Sequence, residues 1–383
     1  MRVVVALDSF KGSLSSVEGG NAVAKGIKRA VSNAEVQVCP VADGGEGTVF
    51  AMSAGCLGRM ATVEVTGPTF EKLKAEYCIM PDGVTAVVEM AAAAGLPLVP
   101  AELRNPMNTT TFGVGELIAD GISRGCRRFI VGIGGSATND GGVGMLSALG
   151  FGFYNKNGEP IRPTAGGLES LARISADGAM PELGECSFRV ACDVTNPLCG
   201  EKGCSAVFAP QKGASAEDIL KMDGWLKNYA GLAKKLSPKA DETHPGAGAA
   251  GGLGFAFLSF LNASLESGIG IVLDETGLEE KIKNSDIVVT GEGRLDGQSA
   301  MGKAPVGIAA LGKKHGKRVI AFAGGVTEDA EACNTAGIDA FFPIVRGITT
   351  LEEALRPENA EKNLEAAAYQ VFRLIDFERN GKI

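Results

Sequence analysis

The chain is poor in histidine, tryptophan and tyrosine, with two, one and four of each among 383 residues. With only His244 and His315 available, Ser-His-Asp hydrolysis and histidine-rich metal catalysis have few parts to draw on. One Trp and four Tyr supply few platforms for stacking single-stranded bases. A dense basic block is also missing, and 45 acids against 37 bases leave a formal charge of −8. That argues against nucleic acid as the main partner. No apolar run reaches the length of a membrane span. The amino terminus meets Asp8 and Lys11 too soon for a leader peptide and reads as a first strand. Nine cysteines form no Cys-x-x-Cys pair. They read as reduced, mostly buried residues of a cytoplasmic protein.

What the chain has in excess is glycine, 54 residues, set in turns after apolar runs. The central stretch is Val131-Gly-Ile-Gly134-Gly135-Ser136-Ala-Thr138-Asn139-Asp140-Gly141-Gly-Val-Gly144. It lies between a predicted strand, Arg128 to Ile133, and a predicted helix, Val143 to Leu149. Glycine admits close backbone approach and a helix N-terminus offers unpaired N–H groups, so this turn suits an anion. Two others place acid beside glycine after an apolar run: Asp43-Gly44-Gly45-Glu46 and Glu292-Gly-Arg294-Leu-Asp296-Gly-Gln-Ser299. Three such turns would suit a metal-assisted phosphate site.

The pattern predicts strands at 2–7 and 35–41 with a helix from Ser15 to Val31 opened by a Ser15/Glu18 capping box. This is a βαβ rhythm, and ligands of such sheets bind beyond the carboxyl ends of the strands. Short strands at 61–65, 75–80 and 85–90 then read as an antiparallel meander. An apolar helix is expected from Gly246 to Leu265, and a strand from Asp286 to Thr290. The α/β rhythm returns from there to the end. The expected fold is a discontinuous Rossmann-like α/β domain, 1–65 with 280–383. A mixed α/β domain, 66–279, is inserted into it, with the active site in the cleft between them. A total of 383 residues is in keeping with two domains.

Asp8, Asp43, Asp140, Asp193 and Asp296 stand at predicted strand ends or in glycine turns. Any one could be a turn former. Together they suit Mg²⁺ and the orientation of an attacking hydroxyl. Lys11 and Arg294 could hold a carboxylate or a phosphoryl group, or pair with a neighbouring Asp. Gly297 to Ala304 nearly fits a P-loop, but Ala304 replaces the metal-binding hydroxyl and the strand ends too early. Lys303 could still touch phosphate there. A dinucleotide-dependent oxidoreductase would need G-x-G-x-x-G after the first strand, where Asp8-Ser-Phe-Lys-Gly-Ser13 stands instead. A non-catalytic two-lobed binder of a small organic anion is the other rival. It would gain nothing from several carboxylates around an anion site.

Five segments, Asp8 to Ser13, Pro40 to Thr48, Gly134 to Gly142, Ala191 to Leu198 and Thr290 to Asp296, resemble the bacterial type-1 glycerate kinase family in order and nearly end to end. The resemblance implies a kinase using ATP and Mg²⁺ on D-glycerate. It favours the 2-hydroxyl, with 3-phosphorylation as the alternative. It implies Asp193, Lys11 and Asp43 as catalytic residues, Asp193 being the base or orienter, and Asp43 and Asp296 as metal ligands or as holders of the substrate's free hydroxyl. Ser9, Gly44, Gly134, Gly135, Ser136, Thr138, Asn139, Arg294, Ser299 and Lys303 are the expected substrate- and phosphate-binding residues. Neither a nucleic acid nor a membrane partner is expected, and the state is a monomer or a homodimer.

Overall fold

Runs of β-branched residues bounded by glycine and acid turns become thirteen strands in the computed structural model, which describes residues 1–42, 47–56 and 58–381. In chain order they are β1 (Arg2–Leu7), β2 (Glu35–Val38), β3 (Arg59–Thr66), β4 (Lys72–Ile79), β5 (Thr85–Glu89), β6 (Arg128–Gly132) and β7 (Gly152–Tyr154). They continue with β8 (Arg173–Ser175), β9 (Ser187–Ala191), β10 (Ala263–Glu266), β11 (Ile287–Leu295), β12 (Arg318–Val326) and β13 (Ala340–Pro343). The chain divides into two compact units. One is Met1–Asp43, Phe50–Cys56 and Val272–Ile383; the other is Gly44–Val49 and Leu57–Ile271.

The first unit holds an all-parallel sheet in the order β13-β12-β11-β1-β2. The chain leaves β1 toward one side through β2 and builds the other side from β11 outward, so the strand order reverses between β1 and β11. Crevices at such reversals, beyond the carboxyl ends, are where open α/β sheets bind ligands. Val3, Val5, Leu7, Val289 and Phe322 form the buried sheet face, packed with Ile27, Leu364 and Phe372 from the helices Ser16–Ala30 and Pro357–Asn380. The first of these helices carries the expected capping box, Ser15 Oγ accepting from the Glu18 N–H and the Glu18 carboxylate from that of Ser15. The two helices lie so close that a Cβ on Gly26 would sit 2.3 Å from the Glu365 carbonyl. Lys25 and Arg29 then close on the Glu365 carboxylate at 2.8 and 2.9 Å.

The second unit is a mixed sheet in the order β10-β9-β6-β5-β4-β3. The predicted meander is β3-β4-β5, antiparallel, and β5, β6, β9 and β10 run parallel. Phe129 and Phe188, neighbours on β6 and β9, stack at 5.1 Å in a core that also buries Tyr229, Phe255 and Phe257.

Two expectations are corrected. The glycine-rich run from Gly246 makes a helix only over Ala249–Phe260, kinked through left-handed Ala250, Gly251 and Gly252, and Ala263–Glu266 is the edge strand β10. Apolar periodicity favoured helix there, but pairing with β9 prevails, Phe188 N donating to Asn262 O at 2.9 Å. The strand predicted to stop at Thr290 continues to Leu295. Its glycines suggested a turn, yet β12 carries facing glycines, and Arg294 pairs with Gly325. A Cβ on Gly324 would lie 2.5 Å from the Gly293 carbonyl, so small residues let the ladder extend.

Candidate active site

In the first unit, β1 delivers Asp8, nearly buried, whose Oδ1 accepts the Ser9 N–H at 2.6 Å. Phe10 is anchored in the core and bridges to Leu14, forming a tight loop that carries Ser9, Lys11 and Ser13 beyond the sheet. Across the reversal point, Glu292 and Arg294 alternate along the end of β11 and share one face. Asp296 follows at once. The buried Ser299 ties both acids together. Its hydroxyl donates to Glu292 Oε1 at 2.6 Å, and its N–H donates to Asp296 Oδ1 at 3.0 Å. Lys303 is the N-cap of the helix Ala304–Lys314. Arg294 and Lys303 approach Asp296 only at 3.8 and 4.0 Å, and among the described residues Lys11 has no ion-pair partner. These groups line one pocket of about 420 Å³, with Gly324 and Gly325 also in its wall. A larger cleft, about 730 Å³, opens beside Arg2, Glu35 and Asn284 at the amino-terminal ends of β1, β2 and β11, away from the strand ends that bind ligands.

The pocket thus combines three cations for anionic oxygens with two carboxylates held by one serine, through its hydroxyl and its backbone N–H. Among the described residues no group of three or more His, Cys, Asp or Glu could hold a metal. Mg²⁺ usually takes only one or two carboxylates and completes its shell with phosphate oxygens and water. Glu292 and Asp296 fit that habit. Glu292 was not among the expected site residues; its place on the Arg294 face of an extended strand is what brings it in. Asp43 and Gly44 lie outside the described residues.

In the second unit, the turn after β6 exposes Gly134 and Gly135, the latter at φ +74°. Leu96 N donates to Gly135 O and Ala137 N to Ala94 O, which fix this turn while leaving the N–H groups of Gly134, Gly135 and Ser136 without a protein acceptor among the described residues. Thr138 and Asn139 have no exposed surface. Asn139 Nδ2 donates to Ser205 Oγ at 2.9 Å, beneath the turn. Asp140 is fully buried and accepts from Thr111 N and Oγ1 and from the N–H groups of Gly142 and Gly144. Burial pushes its carboxyl above the usual range, against those four bonds. Asp193 follows β9, the strand beside β6, stands exposed, and accepts the Gly268 N–H at 3.2 Å.

Sequence reasoning passes over Lys212. A single lysine in Pro210-Gln-Lys-Gly213 reads as solvated, yet this one is fully buried. Its Nζ donates to Ser136 Oγ at 2.7 Å and to the Thr138 carbonyl at 2.6 Å, which props the glycine turn from below. Desolvation pulls its pKa down to about 8, opposed by Cys204 and Asp140. The helix Ala249–Phe260 supports the same turn. Gly141 N donates to Gly251 O at 2.9 Å, and a Cβ on Gly251 would stand 2.1 Å from the Thr138 carbonyl.

The profile of the glycerate kinase family matches residues 3–376 of this chain. The chain belongs to the glycerate kinase family. It is therefore an enzyme of the kinase class, for which ATP is the co-substrate. The glycerate 2-kinase of Escherichia coli (strain K12) is 49% identical over 356 residues, 93% of either chain. A glycerate kinase of Bacillus subtilis (strain 168) is 45% identical over 371 residues, 97% of either chain. A crystal structure of a candidate glycerate kinase 2 from Salmonella typhimurium LT2 superposes with a TM-score of 0.91 at 43% identity, covering 99% of both chains. The α/β architecture is thus shared across the whole chain. No helix among the described residues is long and apolar enough to cross a membrane.

Proposed function

We propose that the chain transfers the γ-phosphoryl group of ATP to the 2-hydroxyl of D-glycerate, with Mg²⁺, giving 2-phospho-D-glycerate and ADP in the cytoplasm. The observation that carries the reading is the pocket at the β1/β11 reversal, where Lys11, Arg294 and Lys303 meet the carboxylates of Glu292 and Asp296. The 2-position rests on the 49% identity to a glycerate 2-kinase. The two compact units are read as the two domains, one discontinuous and one inserted.

In this reading Asp193 accepts the proton of the 2-hydroxyl as its oxygen bonds to phosphorus. The bond from that phosphorus to the bridging β–γ oxygen breaks, and ADP departs with the electron pair. Lys11, Arg294 and Lys303 balance charge on the phosphoryl oxygens, and Ser9 donates to the same group. Gly134, Gly135 and Ser136 offer backbone N–H groups to an anionic oxygen. Thr138 and Asn139 support that turn from beneath. Asp296 and Glu292, with Asp43 as expected from the sequence, would hold Mg²⁺, which would supply positive charge to offset that of the phosphate groups. Such catalysis is positioning and charge stabilisation.

The test is ADP release with Mg-ATP, with and without D-glycerate, and phosphorus NMR of the product. Glycerate-dependent release with coupling to a methine proton is expected. Coupling to methylene protons would move the product to 3-phosphoglycerate, and no turnover with glycerate would overturn the reading.

A further inference from the structure

The pocket of the first unit is larger and greasier than a three-carbon acid requires. Its cations and carboxylates gather at the ends of β1 and β11. Its other wall is Ile344 and Val345 after β13, Leu351 and Leu355 of the short helix Leu351–Leu355, and Ala360 of the last helix. Every carbon of glycerate carries oxygen, so an aliphatic wall offers it nothing. A volume of about 420 Å³ lies within the range of pockets that enclose drug-sized ligands, roughly 300–1,000 Å³. Several wall residues also stay in water: Val345 is 37% exposed, Leu351 75% and Leu355 36%. Clustered exposed apolar side chains mark a surface that something else covers.

Resting on the kinase reading above, we infer that this aliphatic wall seats the purine base of ATP, with Asn363 as its polar contact. The strand order sets the span. β13 lies two strands from β11 and three from β1, about 10–14 Å at a strand spacing of ~4.8 Å. That separates an apolar end from a cationic end by the reach of an extended nucleotide. Asn363 supplies direction. Its Oδ1 accepts from Arg346 Nε at 3.0 Å, and because a guanidinium only donates, this contact fixes which amide atom is oxygen. Nδ2 is then the donor left over, with no protein acceptor among the described residues, and it suits a ring nitrogen of a purine. Base recognition is by flat apolar enclosure plus one hydrogen bond.

Two substitutions test this in the full chain. Asn363→Asp keeps the shape and the Arg346 contact but removes the donor. Ala354→Trp, on the half-buried face of the short helix, fills the wall from its apolar side. Each is expected to raise the KM for ATP about tenfold, the worth of one good contact, with the KM for glycerate and the circular dichroism unchanged. A rise in the KM for glycerate alone would assign the pocket to the acceptor and overturn the inference. Unchanged constants for both would overturn it as well. Calorimetric binding of ATP and of adenosine separates this inference from the reaction it rests on. Nucleoside binding that weakens in both variants supports the base site even if glycerate is not turned over. Absence of adenosine binding, with ATP still bound, would refute it.

Discussion

The buried lysine under the glycine turn gives a prediction with a sign and a size. Lys212 is fully buried, and its pKa falls from 10.5 to about 8 because burial disfavours the ammonium more than Asp140 stabilises it. Cys204, whose thiol burial pushes up to about 12, stays neutral at working pH and adds no charge of its own. Between about pH 8 and 10.5 the folded chain has shed a proton that the unfolded chain still holds. The unfolded state binds more protons there, so stability must rise with pH, by at most ~1.4 kcal/mol per pH unit. Integrated from pH 7 to 9.5, the wild type gains about 2 kcal/mol from this one group. Lys212→Met removes the titration. At pH 7 it also removes an ammonium whose burial costs about 3 kcal/mol and leaves Ser136 Oγ and the Thr138 carbonyl short of a donor, about 1–3 kcal/mol each. The variant should therefore differ little from wild type at pH 7 and be the less stable of the two at pH 9.5. Trp225 is the sole tryptophan and packs in the second unit, so its fluorescence during urea unfolding reports the relevant transition. The decisive number is the change in wild-type-minus-variant stability between the two pH values. A value near 2 kcal/mol is expected. Parallel pH profiles for the two proteins would refute the reasoning, because they would mean that water or a counter-charge keeps Lys212 at its ordinary pKa.

Asp193→Asn should lower kcat by roughly two orders of magnitude with an unchanged fold if the carboxylate takes the hydroxyl proton, and a near-normal kcat removes it from that role. Ser299→Ala unties Glu292 from Asp296. The Mg²⁺ concentration for half-maximal rate should rise roughly ten- to a hundredfold, as for other lost supports of metal ligands, and an unmoved Mg²⁺ titration would detach these acids from the metal. Gly26→Ala places a methyl 2.3 Å from the Glu365 carbonyl. Despite the better helix propensity of alanine, it should lose about 1–3 kcal/mol in thermal or urea unfolding; a gain would mean that the helix pair separates freely.

Much of the fold could be read from periodicity, because strands bounded by glycine and acid turns are local signals. The Ser15/Glu18 cap and the β3-β4-β5 meander are of this kind. Lys11, Arg294, Asp296 and Lys303 could also be chosen from sequence, since acids and cations beside glycines after apolar runs follow a general rule of α/β sheets, whereas Ser9 enters only with the family resemblance. That they line a single pocket is a fact of topology, set by β11 landing beside β1. What sequence could not carry is partner-dependent. β10 looks helical until β9 offers its edge, and Glu292 looks like a turn residue until Gly324 and Gly325 let β11 extend past it. Lys212 is the extreme case, a surface residue type drawn inward by two oxygens more than seventy positions away.

The split composition of the first unit's sheet has a consequence at the ribosome. β1 ends at Leu7, but its inner neighbour β11 begins only at Ile287, so β1 leaves the exit tunnel far ahead of it. At synthesis rates of about 5–20 residues per second, β1 waits roughly 15–55 s with one edge unpaired. Throughout that interval it is a short, almost wholly apolar strand, Val3 to Leu7, of the sort that chaperones bind and that other nascent chains can capture. The arrival of β11 is therefore what rescues β1, and a stall between the codons for Ile271 and Ile287 should strand an aggregation-prone product.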